Sequence, residues 1–153
     1  MRTNGSFELL IEMQAACTPK AAAVEFAGDV LTYDQLNRRS NQLAEYLRRS
    51  GARPGTKVAV MMDLSVDFFI ATLAVFKTGA DHLRLEPYAS ERVDFPPASL
   101  VLTDNNHSAD LGDYNVIDVS SERGLIACMS DCNVSAPVER HNFAPTKFLT
   151  NRR

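Results

Sequence analysis

A chain of 153 residues with 45% hydrophobic and 23% charged side chains can bury one real core and falls in the ordinary water-soluble globular class. Its net charge of −3 argues against a general binder of nucleic acid or of anionic membrane, which needs clustered Lys and Arg to displace counterions. Basic doublets such as Arg38-Arg39 and Arg48-Arg49 fall on a predicted helix and read as its solvated face.

The opening stretch MRTNGSFELLIEMQ is acidic after Arg2 and lacks an uninterrupted apolar run, so no secretory signal or membrane span is expected. Residues 6 to 17 space Phe7, Leu10, Ile11, Gln14 and Ala15 helically, with Ser6 to cap the start and Pro19 to stop the element. Val24 and Phe26 then alternate with Glu25, Gly28-Asp29 turns the chain, and Val30-Leu31 resumes, which predicts a small hairpin. The strongest helix is predicted over 32 to 50. Thr32 and Gln35 form a capping box, and Leu36, Leu43, Ala44 and Leu47 make one apolar stripe. Asn37, Arg38, Arg39, Gln42 and Arg48 face elsewhere, and Gly51 supplies the left-handed C-terminal position.

After the Pro54-Gly55 turn, Val58 to Met62 is a continuous apolar run of the kind that suits a parallel strand covered on both faces. A second helix follows from Ser65. Val66, Phe69, Ile70, Leu73 and Phe76 line one side, Phe68 and Val75 add a second, Lys77 complements the dipole, and Gly79 ends it. Asp63 stands where α/β proteins often place functional groups, although a helix-start role for Asp63 or Ser65 is the simpler reading. Two further strands are predicted at Leu100 to Thr103 and at Tyr114 to Val119. The order implies an α/β fold with a partial, mostly parallel sheet and flanking helices. Residues 1–119 are expected to form the structured unit and 120–153 a weakly structured, mostly irregular extension.

Between the second helix and the Leu100 strand lies Asp81-His82-Leu83-Arg84-Leu85-Glu86. Leu83 and Leu85 share one face of a strand, and His82, Arg84 and Glu86 share the other. The period of two reads as a strand wet on one side. A partner-binding strip is the second reading. A catalytic His82 is disfavoured, because no nucleophile or second base is placed beside it. Cys17, Cys128 and Cys132 are odd in number and not framework-like, which fits reduced thiols in a cytoplasmic chain. Cys128 and Cys132, even with His107 and His141, lack the tight ligand pairs of a structural zinc site, so no metal is expected.

Three stretches together resemble the beginning of a nonribosomal peptide synthetase adenylation domain, within the superfamily of AMP-forming acyl- and aminoacyl-activating enzymes. LIEMQAACTPKAAAVEF resembles the opening helix, its Thr-Pro stop and the next strand. Leu31-Thr32-Tyr33-Asp34-Gln35-Leu36 resembles the first core motif, Leu-Thr-Tyr-x-Glu-Leu. Phe76-Lys77-Thr78-Gly79-Ala80 resembles the start of the second, Leu-Lys-Ala-Gly-x, and Leu83, Leu85, Pro87, Glu91 and Arg92 continue it. The resemblance is clear over residues 7 to about 104 and fades beyond. Two departures stand out. Asp81, His82, Arg84 and Glu86 occupy a segment that in the family runs Ala-Tyr-Leu-Pro-Leu-Asp-Pro, and the helix expected next is broken by Pro96-Pro97.

The resemblance implies an incomplete amino-terminal subdomain of an adenylation domain, whose parent activity is ATP-dependent activation of an amino or aryl acid as acyl-AMP. It implies ATP and Mg²⁺ as family cofactors, but their third-motif loop, Thr-Ser-Gly-Ser-Thr-Gly-x-Pro-Lys-Gly, has no counterpart in these residues. No P-loop, dinucleotide fingerprint, nucleophile elbow or H-E-x-x-H is present either. The expectation is therefore a truncated or degenerate adenylation fragment, of the kind met in secondary metabolism. It carries no catalytic, cofactor-binding or metal-binding residue and is inactive alone. The alternative is an interaction module, or the amino-terminal half of a split adenylating enzyme, acting with another synthetase domain or a complementary adenylation half.

Overall fold

The computed structural model describes residues 6–86, 100–104 and 114–134. Its elements run α1 (Phe7–Cys17), β1 (Ala22–Phe26), β2 (Asp29–Thr32), α2 (Tyr33–Arg49), β3 (Lys57–Met61), α3 (Val66–Thr78), β4 (Asp81–Arg84), β5 (Leu100–Thr103), β6 (Val116–Asp118) and α4 (Arg123–Ala127). β1 and β2 form an antiparallel hairpin. The other four strands make one parallel sheet in the order β4-β3-β5-β6. This is the partial, parallel α/β architecture that the apolar run of β3 and the alternation of helix and strand predict. Among the described residues no helix is long and apolar enough to cross a membrane.

Local chemistry sets the helix ends. Thr32 Oγ1 accepts from the Gln35 amide at 3.1 Å, and Gln35 Oε1 accepts from the Thr32 amide at 2.9 Å, so both halves of the capping box form. Ser65 Oγ accepts from the Phe68 amide at 3.1 Å and starts α3. The hairpin turn lies one residue earlier than the Gly28-Asp29 expectation. Phe26 pairs with Asp29, and Ala27 and Gly28 form the loop with φ 52° and 91°. A two-residue hairpin loop with both central φ positive matches strand twist, and that geometry decides the position.

Gly79 closes α3 at φ +81°, and a Cβ placed there would lie 3.0 Å from Pro54 Cγ. Gly79→Ala should therefore combine left-handed strain of about 1–2 kcal/mol with a clash against a rigid ring. We expect a loss of about 2 kcal/mol, read as a lower urea midpoint at unchanged slope. An unmoved midpoint would refute it.

Helices α2 and α3 cover one face of the sheet. Val58, Val60, Met62, Leu100, Leu102, Ile117 and Val119 pack there against Leu43, Leu47, Ile70 and Leu73. Ala59, Met61 and Val101 form a second apolar cluster on the opposite face, with Leu83, Leu85 and Val116 against it. β3 is thus buried on both sides, the reason its sequence is apolar without alternation.

Residues 120–134 lie along α2. α2 turns Asn41, Gln42 and Tyr46 to this strap: Asn41 Nδ2 donates to the Asp131 carbonyl at 2.9 Å, Gln42 Nε2 to the Ala127 carbonyl at 3.0 Å, and Tyr46 Oη to Glu122 at 2.7 Å. The bond to the Glu122 carboxylate, with burial behind it, raises the Tyr46 pKa. Gln42, placed off the apolar stripe by its spacing, thus holds a chain segment.

Candidate functional site

Polar side chains converge on the helical layer beneath the sheet, and the first meeting point is Lys77. Its stem enters from the last turn of α3, and its side chain is only 4% exposed. Nζ donates to Glu12 Oε2 of α1 at 2.7 Å and to Asn37 Oδ1 of α2 at 2.9 Å. Asn37 Nδ2 donates onward to Asn133 Oδ1 at 2.9 Å, and Asn41 donates to the same oxygen. Arg48 Nη2 caps the Lys77 carbonyl at 2.9 Å. One ammonium thus ties α1, α2 and the 120–134 strap to α3. Burial pulls the Lys77 pKa below the ordinary lysine range, while the bond to Glu12 opposes that shift. The assignment of Lys77 to the helix dipole alone missed this.

Helix α1 is turned accordingly. Glu8, Ile11, Glu12 and Ala15 face the protein, while Leu9, Leu10 and Met13 face out. The predicted stripe of Phe7, Leu10, Ile11, Gln14 and Ala15 is corrected: Leu10 and Gln14 are exposed, and Glu12 is turned inward by a cation 65 positions away. Phe7 is half-exposed but meets the Phe76 ring edge-on at 6.1 Å.

The strip on β4 is likewise reversed from expectation. His82 and Arg84 alternate with Leu83 and Leu85, but the polar set faces α3 rather than solvent. His82 pairs in register with Val58 and Arg84 with Val60, both residues of the helix-side core. His82 is only 5% exposed and packs against Phe76 with centroids 5.4 Å apart, and the Arg84 guanidinium lies 4.9 Å above the Phe68 ring. Aromatic residues at the two ends of α3 accept a ring and a cation where aliphatic ones would not. Burial, then the Arg84 charge, lowers the His82 pKa from 6.5 to about 4. An imidazole neutral throughout the physiological range fits a packing role better than proton transfer. Glu86 stays exposed, with Arg84 Nη2 at 3.9 Å. Pro96-Pro97 lies outside the described residues.

Ser65 is the α3 cap, and Asp63 lies two residues before it with its carbonyl 3.4 Å from Ser65 Oγ. Cys17, Cys128 and Cys132 are exposed, while His107 and His141 lie outside the described residues. No group of three or more metal-ligating side chains occurs among the described residues. A second cluster, Arg39 and Arg123 sharing Asp67, flanks a cleft between α2, α3 and α4. Neither cluster is signalled locally, since the contacts within them span 28 to 96 positions. The one hint for Lys77 is the placement of Glu8 and Glu12 on the same helix face as Ile11 and Ala15.

Comparison with known proteins gives consistent results. The profile of a family described as AMP-binding enzyme matches residues 11–100. Tyrocidine synthase 3 of Brevibacillus parabrevis is 40% identical over 114 residues, which is 71% of this chain and 2% of that protein. Surfactin synthase subunit 2 of Bacillus subtilis (strain 168) is 34% identical over 127 residues, 80% of this chain and 4% of that one. The chain thus spans a few per cent of the length of these curated relatives. Among solved structures, the nonribosomal peptide synthetase FmoA3 superposes with a TM-score of 0.76 at 26% identity, covering 86% of this chain and 15% of that one. A fatty acid AMP ligase from Legionella pneumophila shares the fold, with a TM-score of 0.72 at 19% identity over 89% of this chain and 27% of that one.

Proposed function

The chain belongs to the AMP-binding enzyme family, and on that premise we propose that these residues build an amino-terminal part of an acyl- or aminoacyl-adenylating unit of nonribosomal peptide synthetase type. They act as scaffold rather than catalyst, in the cytoplasm, where ATP is available. The observation that carries this reading is the use to which the polar groups are put. Lys77 is held by Glu12 and Asn37, Arg84 lies on Phe68, and His82 is buried against Phe76, so each joins one element to another. The fold they brace superposes over 86% of this chain on FmoA3, which has also been solved with AMPPNP bound. Activation of a carboxylate needs backbone N–H groups around a phosphate, Mg²⁺ ligands and a cation at the reacting centre. The 153 residues include no Gly- and Ser/Thr-rich loop of that kind, so ATP and Mg²⁺ are assigned to groups outside them.

A second reading is favoured by α1. Its outward Leu9 and Met13 are 49% and 62% exposed, with Leu10 beside them, an apolar strip suited to another synthetase domain or to a complementary adenylation half.

ATP–pyrophosphate exchange separates the readings, using a pool of amino and aryl acids. The purified chain should give no exchange by itself, nor with lysate of its source above a lysate-only control. Exchange restored by lysate above that control would support the second reading. Exchange by the chain alone would overturn the scaffold role.

A further inference from the structure

The cleft between α2, α3 and α4 has the build of a small-anion site. Its volume is about 100 Å³, room for several water molecules. Leu43 of α2, Ile70 of α3 and Val119 after β6, all buried, form an apolar floor. Arg39 and Arg123 stand at the rim with Asp67 between them. Gln42 also lines the cleft, but its amide is committed to the Ala127 and Met129 carbonyls, which fixes the far wall.

The charges do not balance. Among the described residues two guanidiniums share one carboxylate, which leaves one net positive charge above the apolar floor. Arg39 Nη2 lies 3.2 Å from Asp67 Oδ1, and Arg123 Nη2 lies 3.4 Å from Oδ2. Tight charge-assisted bonds run at about 2.7–2.9 Å, so the Arg39 contact sits at the long end of the ordinary range and the Arg123 contact beyond it. Each uses one nitrogen on Asp67 among the described residues, and a guanidinium carries five donors in a fork suited to a carboxylate.

From this we propose that the cleft binds a small organic monoanion, a carboxylate with a short apolar tail. The head group is taken by Arg39 and Arg123, and the tail lies on Leu43, Ile70 and Val119. One excess charge matches a monoanion, and the apolar floor distinguishes it from an inorganic ion.

The test is a proton–nitrogen correlation NMR titration of the full 153-residue chain with butyrate, inorganic phosphate and 1-butanol in parallel. Butyrate should give saturable shifts around Asp67, Ile70, Val119 and Arg123. Phosphate should bind at least tenfold more weakly, and 1-butanol should give no saturable response. Arg39→Gln should weaken butyrate about tenfold, the loss of roughly one charge-assisted contact. Asp67→Asn gives a check of opposite sign: removing the competing carboxylate should tighten butyrate several-fold, which a purely structural ion triad does not predict. Absence of saturable shifts, equal binding of phosphate, equal binding of butanol, or weakening by Asp67→Asn would each overturn the proposal.

Discussion

Replacing Lys77 with alanine is expected to lower the unfolding free energy by about 3 kcal/mol, because removing one partner of a buried ion pair typically costs about 3–5 kcal/mol. The loss has two sources. Glu12, whose side chain is 16% exposed, would keep its charge without the ammonium 2.7 Å away. Asn37 would lose the donor to its carbonyl oxygen and with it part of the link to Asn133. The damage should centre on α1, whose only fully buried residue is Ala15. The double variant Lys77→Met with Glu12→Leu removes both charges and keeps the volume, so it should recover to within about 1 kcal/mol of the parent. Urea unfolding of the parent, Lys77→Met, Glu12→Leu and the double variant closes the cycle. If the double variant is as unstable as the sum of the singles, Lys77 and Glu12 are not coupled and the ion pair is not what holds α1.

The second large effect is a loss of stability with acid that traces to His82. Burial, then the Arg84 charge, holds its folded pKa near 4, against about 6.5 in the unfolded chain. Below pH 6.5 the unfolded state binds the proton first, so stability falls as pH falls, and the loss levels off once the folded imidazole protonates near pH 4. Above pH 6.5 the group contributes no slope. Between pH 7.5 and 5 the difference amounts to about 2 kcal/mol, from 1.36 kcal/mol per pH unit of differential binding. Other groups titrate in the same range, so the informative quantity is the difference between the parent and His82→Leu. Unfolding at pH 7.5 and pH 5 should show a shallower pH dependence in the variant by that amount. Equal dependence in the two proteins would mean that His82 is not buried neutral in solution.

These two residues also mark how far the sequence could be read. His82 was visible as one of a set alternating with Leu83 and Leu85, and the alternation is real. Periodicity says that a strand has two faces but not which one meets the core. On β4 both faces meet packed groups: the leucines join Ala59, Met61 and Val101, while the polar set meets Phe68 and Phe76 of α3. Lys77 was visible as a basic residue in a last helical turn, and its position there is correct. Its partner on α1 lies 65 positions away, beyond any local pattern.

Sequence alone determined the elements whose causes are local. The capping box of Thr32 and Gln35, the Ser65 cap, the left-handed positions at Gly51 and Gly79, and the unbroken apolar run of β3 each depend on residues within a few positions of one another. The motif residues at the start of α2 and the end of α3 marked the family for the same reason, since they occur in short contiguous blocks. Only the tertiary structure decided how α1 is rotated, which side of β4 is packed on α3, and that residues 120–134 are held along α2 by Asn41, Gln42 and Tyr46. Those outcomes depend on pairing free energies between groups far apart in the chain. A carboxylate on an apolar helix faces inward only if a buried cation waits there, and Lys77 is that cation.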